Sequence, residues 1–160
     1  MGRFFRQMPI FYYLAGKIGK FHEGYNVGVF KGETRSIFVD KKEFEGSIIM
    51  QLEKAYQYVL EKINLGSDIV EIYRVDKYEI PPKSIRELIA NAVIHRSYLE
   101  PNDIQVALYD NRLEITSPGM LLSGVNVKRM KEGYSKLRNR AIASVFAYVN
   151  IIEKWGSGIP

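Results

Sequence analysis

Between residues 48 and 63 the apolar side chains Ile48, Leu52, Ala55, Tyr56, Val59, Leu60 and Ile63 recur at three- and four-residue spacing. That period marks a helix with one buried face, and such a face needs an apolar layer to lie on. The neighbouring segments supply that layer. Residues 26–39, NVGVFKGETRSIFV, read as two β-rich runs around Lys31-Gly32-Glu33-Thr34, a hairpin whose glycine suits the turn. Asp40 and KKEFE lead from the hairpin into the helix, and Asn64-Leu65-Gly66 ends it. Residues 69–75, IVEIYRV, alternate as one half-buried strand.

A second helix is expected over 85–96, opened by Pro81-Pro82-Lys83-Ser84, with Ser84 as N-cap and Glu87 completing a capping box. Its core stripe is Ile85, Leu88, Ile89, Ala92 and Val93. Residues 104–109 and 112–116 pair across Asp110-Asn111, a favourable turn dipeptide. Helices follow near 126–132 and 139–149, the latter led by Asn139. The order hairpin, helix, strand, helix, hairpin, helix, helix predicts an α+β fold. In it a mixed or antiparallel sheet carries helices on one face, and helix 85–96 crosses strands 69–75, 104–109 and 112–116.

The chain has 160 residues, 46% of them apolar, enough for one sizeable core or two small ones. No apolar run approaches the ~20 residues that span a bilayer, so no membrane partner is expected. The opening MGRFFRQMPIFYYLAG, interrupted by Pro9, reads as a strand or arm of the fold. With no cysteine, disulfides and thiolate metal sites are excluded, which is compatible with the expected cytoplasmic location. Net charge is +5, and residues 126–140 hold Lys128, Arg129, Lys131, Lys136, Arg138 and Arg140 against Glu132 alone. That one stretch carries as much positive charge as the whole chain. It is a candidate phosphate-binding surface, with a solvated helical face as the competing reading. Only Tyr134 could stack there, so reading of single-stranded bases is not supported.

The chemistry-bearing segment is RELIANAVIHRSY, 86–98. Glu87, Asn91 and His95 fall at i, i+4 and i+8 and share one polar stripe. A carboxylate and an amide oxygen in register are hard ligands of the kind Mg²⁺ takes. The plainer alternative makes Glu87 a cap of its own helix and Asn91 a surface residue. His95 beside Arg96 has the elements of phosphodiester chemistry, with Asp103 the only other acid–base group nearby. The alternative packs His95 under the hairpin and pairs Arg96 with Glu100.

Glu87-x-x-x-Asn91-Ala92 resembles the N-box of the GHKL ATPases, in which the Glu activates the attacking water and the Asn binds Mg²⁺. RELIANAVIHRSY, YDNRLEITSPG and RNRAIASVF…NIIEKWGSGIP are similar, more specifically, to the C-terminal domain of RecG-like transcriptional regulators that carry a Schlafen/AlbA-type DNA-binding domain. FKGETRSIFVDKKEFEGSI is similar to the stretch joining the two domains in such proteins. The resemblance implies a Bergerat-like two-layer sandwich over residues 44–160, incomplete at its C-terminus, preceded in 1–43 by the tail of the DNA-binding domain.

It also implies site residues. Glu87 would be the catalytic base if ATP is hydrolysed, Asn91 the Mg²⁺ ligand, and Ser117, Gly119, Gly156 and Gly158 the nucleotide contacts. The pattern departs where active members have Asp-x-Gly-x-Gly. Here Ser117-Pro118-Gly119-Met120-Leu121 replaces the adenine-holding Asp with a hydroxyl and the second Gly with a Leu that would fill nucleotide space. No bound cofactor is therefore expected, with ATP and Mg²⁺ as the exception to watch. The leading expectation is a regulatory module of a DNA-binding protein, with DNA as partner, a nucleotide as effector and a homodimer as assembly. The alternatives are a Mg²⁺-dependent GHKL ATPase and a dimerisation scaffold using Phe4, Phe5, Phe11, Tyr12 and Tyr13.

Overall fold

Strand β1 (Tyr25–Lys31) lies inside a four-stranded sheet of order β2-β1-β5-β6. The computed structural model describes residues 24–63, 65–70 and 73–152, with side chains for 24–63 and 78–152. β2 (Ile37–Phe44) pairs antiparallel with β1, and β5 (Ile104–Leu108) pairs parallel with it, Tyr25 opposite Ile104 and Val29 opposite Leu108. β6 (Leu113–Thr116) closes the other edge antiparallel to β5. The sheet is mixed because the chain returns to β5 through two helices, α1 (Ile48–Lys62) and α2 (Pro82–His95). The fold class is α+β. The hairpin assigned from sequence to a preceding unit thus supplies two of the four strands.

Alternation along the strands aims one set of side chains at the helices. Tyr25 and Val27 of β1 and Ile104, Val106 and Leu108 of β5 are buried against Leu52, Ala55 and Val59 of α1 and Ile85, Ile89, Ala92 and Val93 of α2. Each fully buried Ile or Val of this set stabilises by roughly 1.5–3 kcal/mol. Tyr25 reaches furthest, its hydroxyl donating to the Ile89 carbonyl at 2.7 Å and tying the sheet to α2. α4 (Arg140–Tyr148) adds Ala143 and Phe146 to the same core. The opposite sheet face carries Phe30 stacked on Tyr109 at 5.3 Å, with Phe38 edge-on. Gly28 makes room for that Phe30 ring, since a Cβ there would stand 3.0 Å from it.

Four expectations need correction. Residues 69–75 are not one strand of the main sheet. They straddle β3 (Leu65–Val70) and β4 (Tyr73–Tyr78), an antiparallel pair that forms its own two-stranded sheet. Apolar residues recur on both sides of the reversal, Ile69 and Val70 in β3 and Tyr73 and Val75 in β4, so the pattern hides it. β2 continues through Asp40 to Phe44 instead of yielding to the helix at KKEFE. The helix is opened by Ser47, whose hydroxyl accepts from the Met50 amide. Gly66 lies in β3, not in a helix cap. α2 starts at Pro82, with Pro81 at the cap position and no side-chain cap, because a proline at the first turn is pre-set for helix. Ser84 therefore sits inside the first turn, and no capping box forms with Glu87.

Candidate functional site

The last carbonyls of a helix have no partner inside it and must find one elsewhere. In α2 they find it in two later loops. Ser117 Oγ donates to the Ala92 carbonyl at 2.7 Å. Asn139 Nδ2 donates to the carbonyls of Ile94 at 2.9 Å and Arg96 at 2.8 Å, and the Asn139 amide adds a bond to Ile94 at 3.1 Å. Arg138 Nε donates to the His95 carbonyl at 2.9 Å, and its Nη2 donates to the carbonyl of Met120. The Ser97 amide donates to Pro118 at 2.7 Å, drawing the loop after β6 onto the same point. Gly119 is required there: its φ is +109°, and a Cβ would stand 2.7 Å from Ser97 Cβ. Three segments distant in sequence therefore meet at the end of α2.

This junction is where sequence reading misassigns two residues. Asn139 precedes α4 in the position of an N-cap, yet its side chain makes no cap bond to that helix and serves α2 instead. Arg138, expected exposed, is half-buried and has no carboxylate partner among the described residues. Its charge faces carbonyl oxygens at the negative end of a helix, a favourable site for a cation. Nothing in a one-dimensional pattern separates an Asn that caps the next helix from one that caps a helix forty residues earlier.

Glu87, Asn91 and His95 are all half-buried on α2. Glu87 and Asn91 make no side-chain hydrogen bond or ion pair with any described residue, so neither is used as a cap. Burial, and secondarily the nearby Arg138, lower the His95 pKa, so its imidazole is neutral at pH 7. Arg96 is buried, donating to the Asn102 carbonyl at 2.7 Å and lying over the Tyr98 ring, not paired with Glu100. Asp103 is occupied by the Gly24 amide at 2.7 Å and Asn26 Nδ2 at 2.6 Å, which makes it a brace for β1.

From Met120 to Arg138 the chain leaves the body and returns, and the Arg138–Met120 bond joins the two ends. Loops with closed ends of this kind are often functional. Within it Asn126 caps the short helix α3 (Val127–Lys131), accepting from the Arg129 amide at 2.9 Å. Arg129 donates to the Gly124 carbonyl at 2.7 Å and stacks over Tyr134 at 3.9 Å, and Lys136 reaches the Ser123 carbonyl at 3.2 Å. Lys128, Lys131 and Arg140 are exposed and make no side-chain contact of this kind with any described residue. Neither Arg138 nor Arg140 pairs with an acid among the described residues.

The fit to Mg-ATP is uneven. Glu87 and Asn91 have uncommitted oxygens on one helix face, but no group of three His, Asp or Glu gathers among the described residues, so any cation would depend on ligand oxygens. On the adenine side Ser117 has spent its proton on Ala92 and offers only a neutral acceptor. Leu121 is 54% exposed, so its side chain is not packed into an interior space. Gly156 and Gly158 lie outside the described residues. The adenine side does not reproduce the family's pattern, and no hydrolytic step is derived from it. No helix among the described residues is long and apolar enough to cross a membrane.

Residues 102–160 match the family described as "Putative ATP-dependent DNA helicase recG C-terminal". That span includes β5, β6, the closed loop and the Arg138–Asn139 pair. No curated protein matches the chain. Among solved structures, the DIP2311 protein from Corynebacterium diphtheriae superposes with a TM-score of 0.81 at 20% sequence identity. The match covers 90% of this chain and 30% of that one, and at this identity it establishes the fold alone.

Proposed function

We propose that this chain is the regulatory module of a DNA-binding protein, built on an ATPase-like fold that does not turn over ATP. One observation carries the reading: Lys128, Lys131 and Arg140 are exposed cations without a carboxylate partner among the described residues. Surface cations are ordinarily interspersed with acids, and a run left unmatched favours a polyanion. The resemblance to regulators with a Schlafen/AlbA-type domain supplies the partner, duplex DNA, and makes a phosphorylated small molecule the natural effector of the degenerate pocket.

The test is duplex binding across a salt series. Three phosphate contacts would give log affinity against log salt a slope of about −2.7. Binding that is absent, or indifferent to salt, refutes the reading. A second reading, a Mg²⁺-dependent ATPase, is favoured by the uncommitted Glu87 and Asn91 on one half-buried helix face. Calorimetry with Mg-ATP separates the two. The regulatory reading expects no micromolar binding, and micromolar binding abolished by Asn91→Ala would establish the ATPase.

A further inference from the structure

We infer that Arg138 is a positioning residue for the basic loop, a staple that holds residues 121–137 in one shape, and not one of its phosphate contacts. The inference deepens the DNA-binding reading and rests on it only for the second of its two tests.

The geometry is specific. A guanidinium is a planar fork with donors aimed in different directions, and Arg138 uses two of them on opposite ends of the loop's closure. Nε takes the His95 carbonyl at 2.9 Å, on the body of the protein. Nη2 takes the Met120 carbonyl, where the loop departs. The Gly119 backbone lies beside the same guanidinium, where a Cβ would meet Nη2 at an ordinary contact distance of 3.5 Å. Asn139 beside it is fastened to Ile94 and Arg96, so the returning end cannot shift without breaking those bonds as well. Inside the loop the further bonds come from Arg129, Lys136, the α3 turn and the Val125 amide on the Leu122 carbonyl, and all of them stay within the loop. Arg138 is thus the side chain that connects the departing end, the returning end and the body.

The consequence for binding is preorganisation. A loop already closed loses less conformational freedom when Lys128 and Lys131 engage a ligand than one that must be gathered first. Arg138, half-buried with two donors committed, adds charge to the neighbourhood without reaching outward.

Arg138→Lys separates the roles, since it keeps the positive charge and discards the fork. The first test needs no ligand. Trypsin cleavage after Lys128, Arg129, Lys131 and Lys136 reports how often the loop opens, and losing one charged hydrogen bond should speed it about tenfold. Arg140→Lys, outside the staple, should leave the rate unchanged. Cleavage of the Arg138→Lys protein at the wild-type rate overturns the inference. The second test is the salt series with duplex DNA. A positioning role predicts weaker binding for Arg138→Gln with an unaltered slope, whereas a phosphate contact predicts a slope shallower by about 0.9. Should Arg138→Gln not fold, Arg138→Lys still decides through cleavage. A wild type that fails to bind DNA at any salt refutes the functional reading and leaves the cleavage result standing.

Discussion

The end of α2 and the loop that springs from it draw on the same basic stretch and use it in opposite ways. At the helix end Arg138 and Asn139 are half-buried, and every side-chain bond they make among the described residues goes to a backbone carbonyl. A few residues earlier Lys128 and Lys131 are exposed and make no side-chain bond with any described residue. Charge density along the sequence does not distinguish the two uses, because it counts cations without asking what their donors meet. The difference lies in where the backbone has left acceptors unmet, and a helix C-terminus always leaves some.

The contrast can be broken by substitution, and the largest effect is expected at Gly119. Gly119→Ala puts a Cβ at a φ of +109° and 2.7 Å from Ser97 Cβ, so a loss of roughly 2–3 kcal/mol is expected in denaturant unfolding. A loss near zero would mean the loop after β6 is not seated on α2. Asn139→Ala takes the Asn139 donor from the Arg96 carbonyl and leaves Ile94 with the backbone amide alone, and should cost about 2 kcal/mol, measured in the same way. Were Asn139 a cap of α4 instead, Asn139→Asp would be at least as stable as the wild type, whereas the junction requires an N–H donor and predicts that Asp is destabilising. Ser117→Ala removes one hydroxyl donor and should cost about 1 kcal/mol.

A smaller effect is expected from His95. Its pKa is lowered in the fold, chiefly by burial and then by Arg138, so the unfolded chain binds the proton more readily. The associated stability is complete above the unfolded value near 6.5 and is lost as pH falls through the folded value. His95→Gln should therefore flatten the decline in melting temperature below about pH 6.5, and an unchanged decline would assign the acid sensitivity to other groups.

How much of this could be read from the chain follows the reach of each signal. The α1 stripe was legible because helical period is local, and Leu52, Ala55 and Val59 are buried as the spacing required. The β5–β6 hairpin was legible from Asp110-Asn111 and its flanking runs. The parallel pairing of β1 with β5 was not, since no local pattern names a partner strand some eighty residues away. The β3–β4 reversal was hidden by an apolar pattern that serves a hairpin as well as a strand. In the site, the stripe of Glu87, Asn91 and His95 follows from spacing alone. The junction at its end depends on long-range hydrogen bonds, and its residues look in sequence like a cap, a turn and a charge run.

The central claim, that Lys128 and Lys131 meet phosphate while Arg138 only holds them in place, is tested most directly by comparing three salt series with duplex DNA. The account predicts that Lys128→Gln with Lys131→Gln flattens the slope by about 1.8, while Arg138→Gln weakens binding at every salt and leaves the slope where it was. Equal flattening by Arg138→Gln, or an unchanged slope in the double variant, would contradict it.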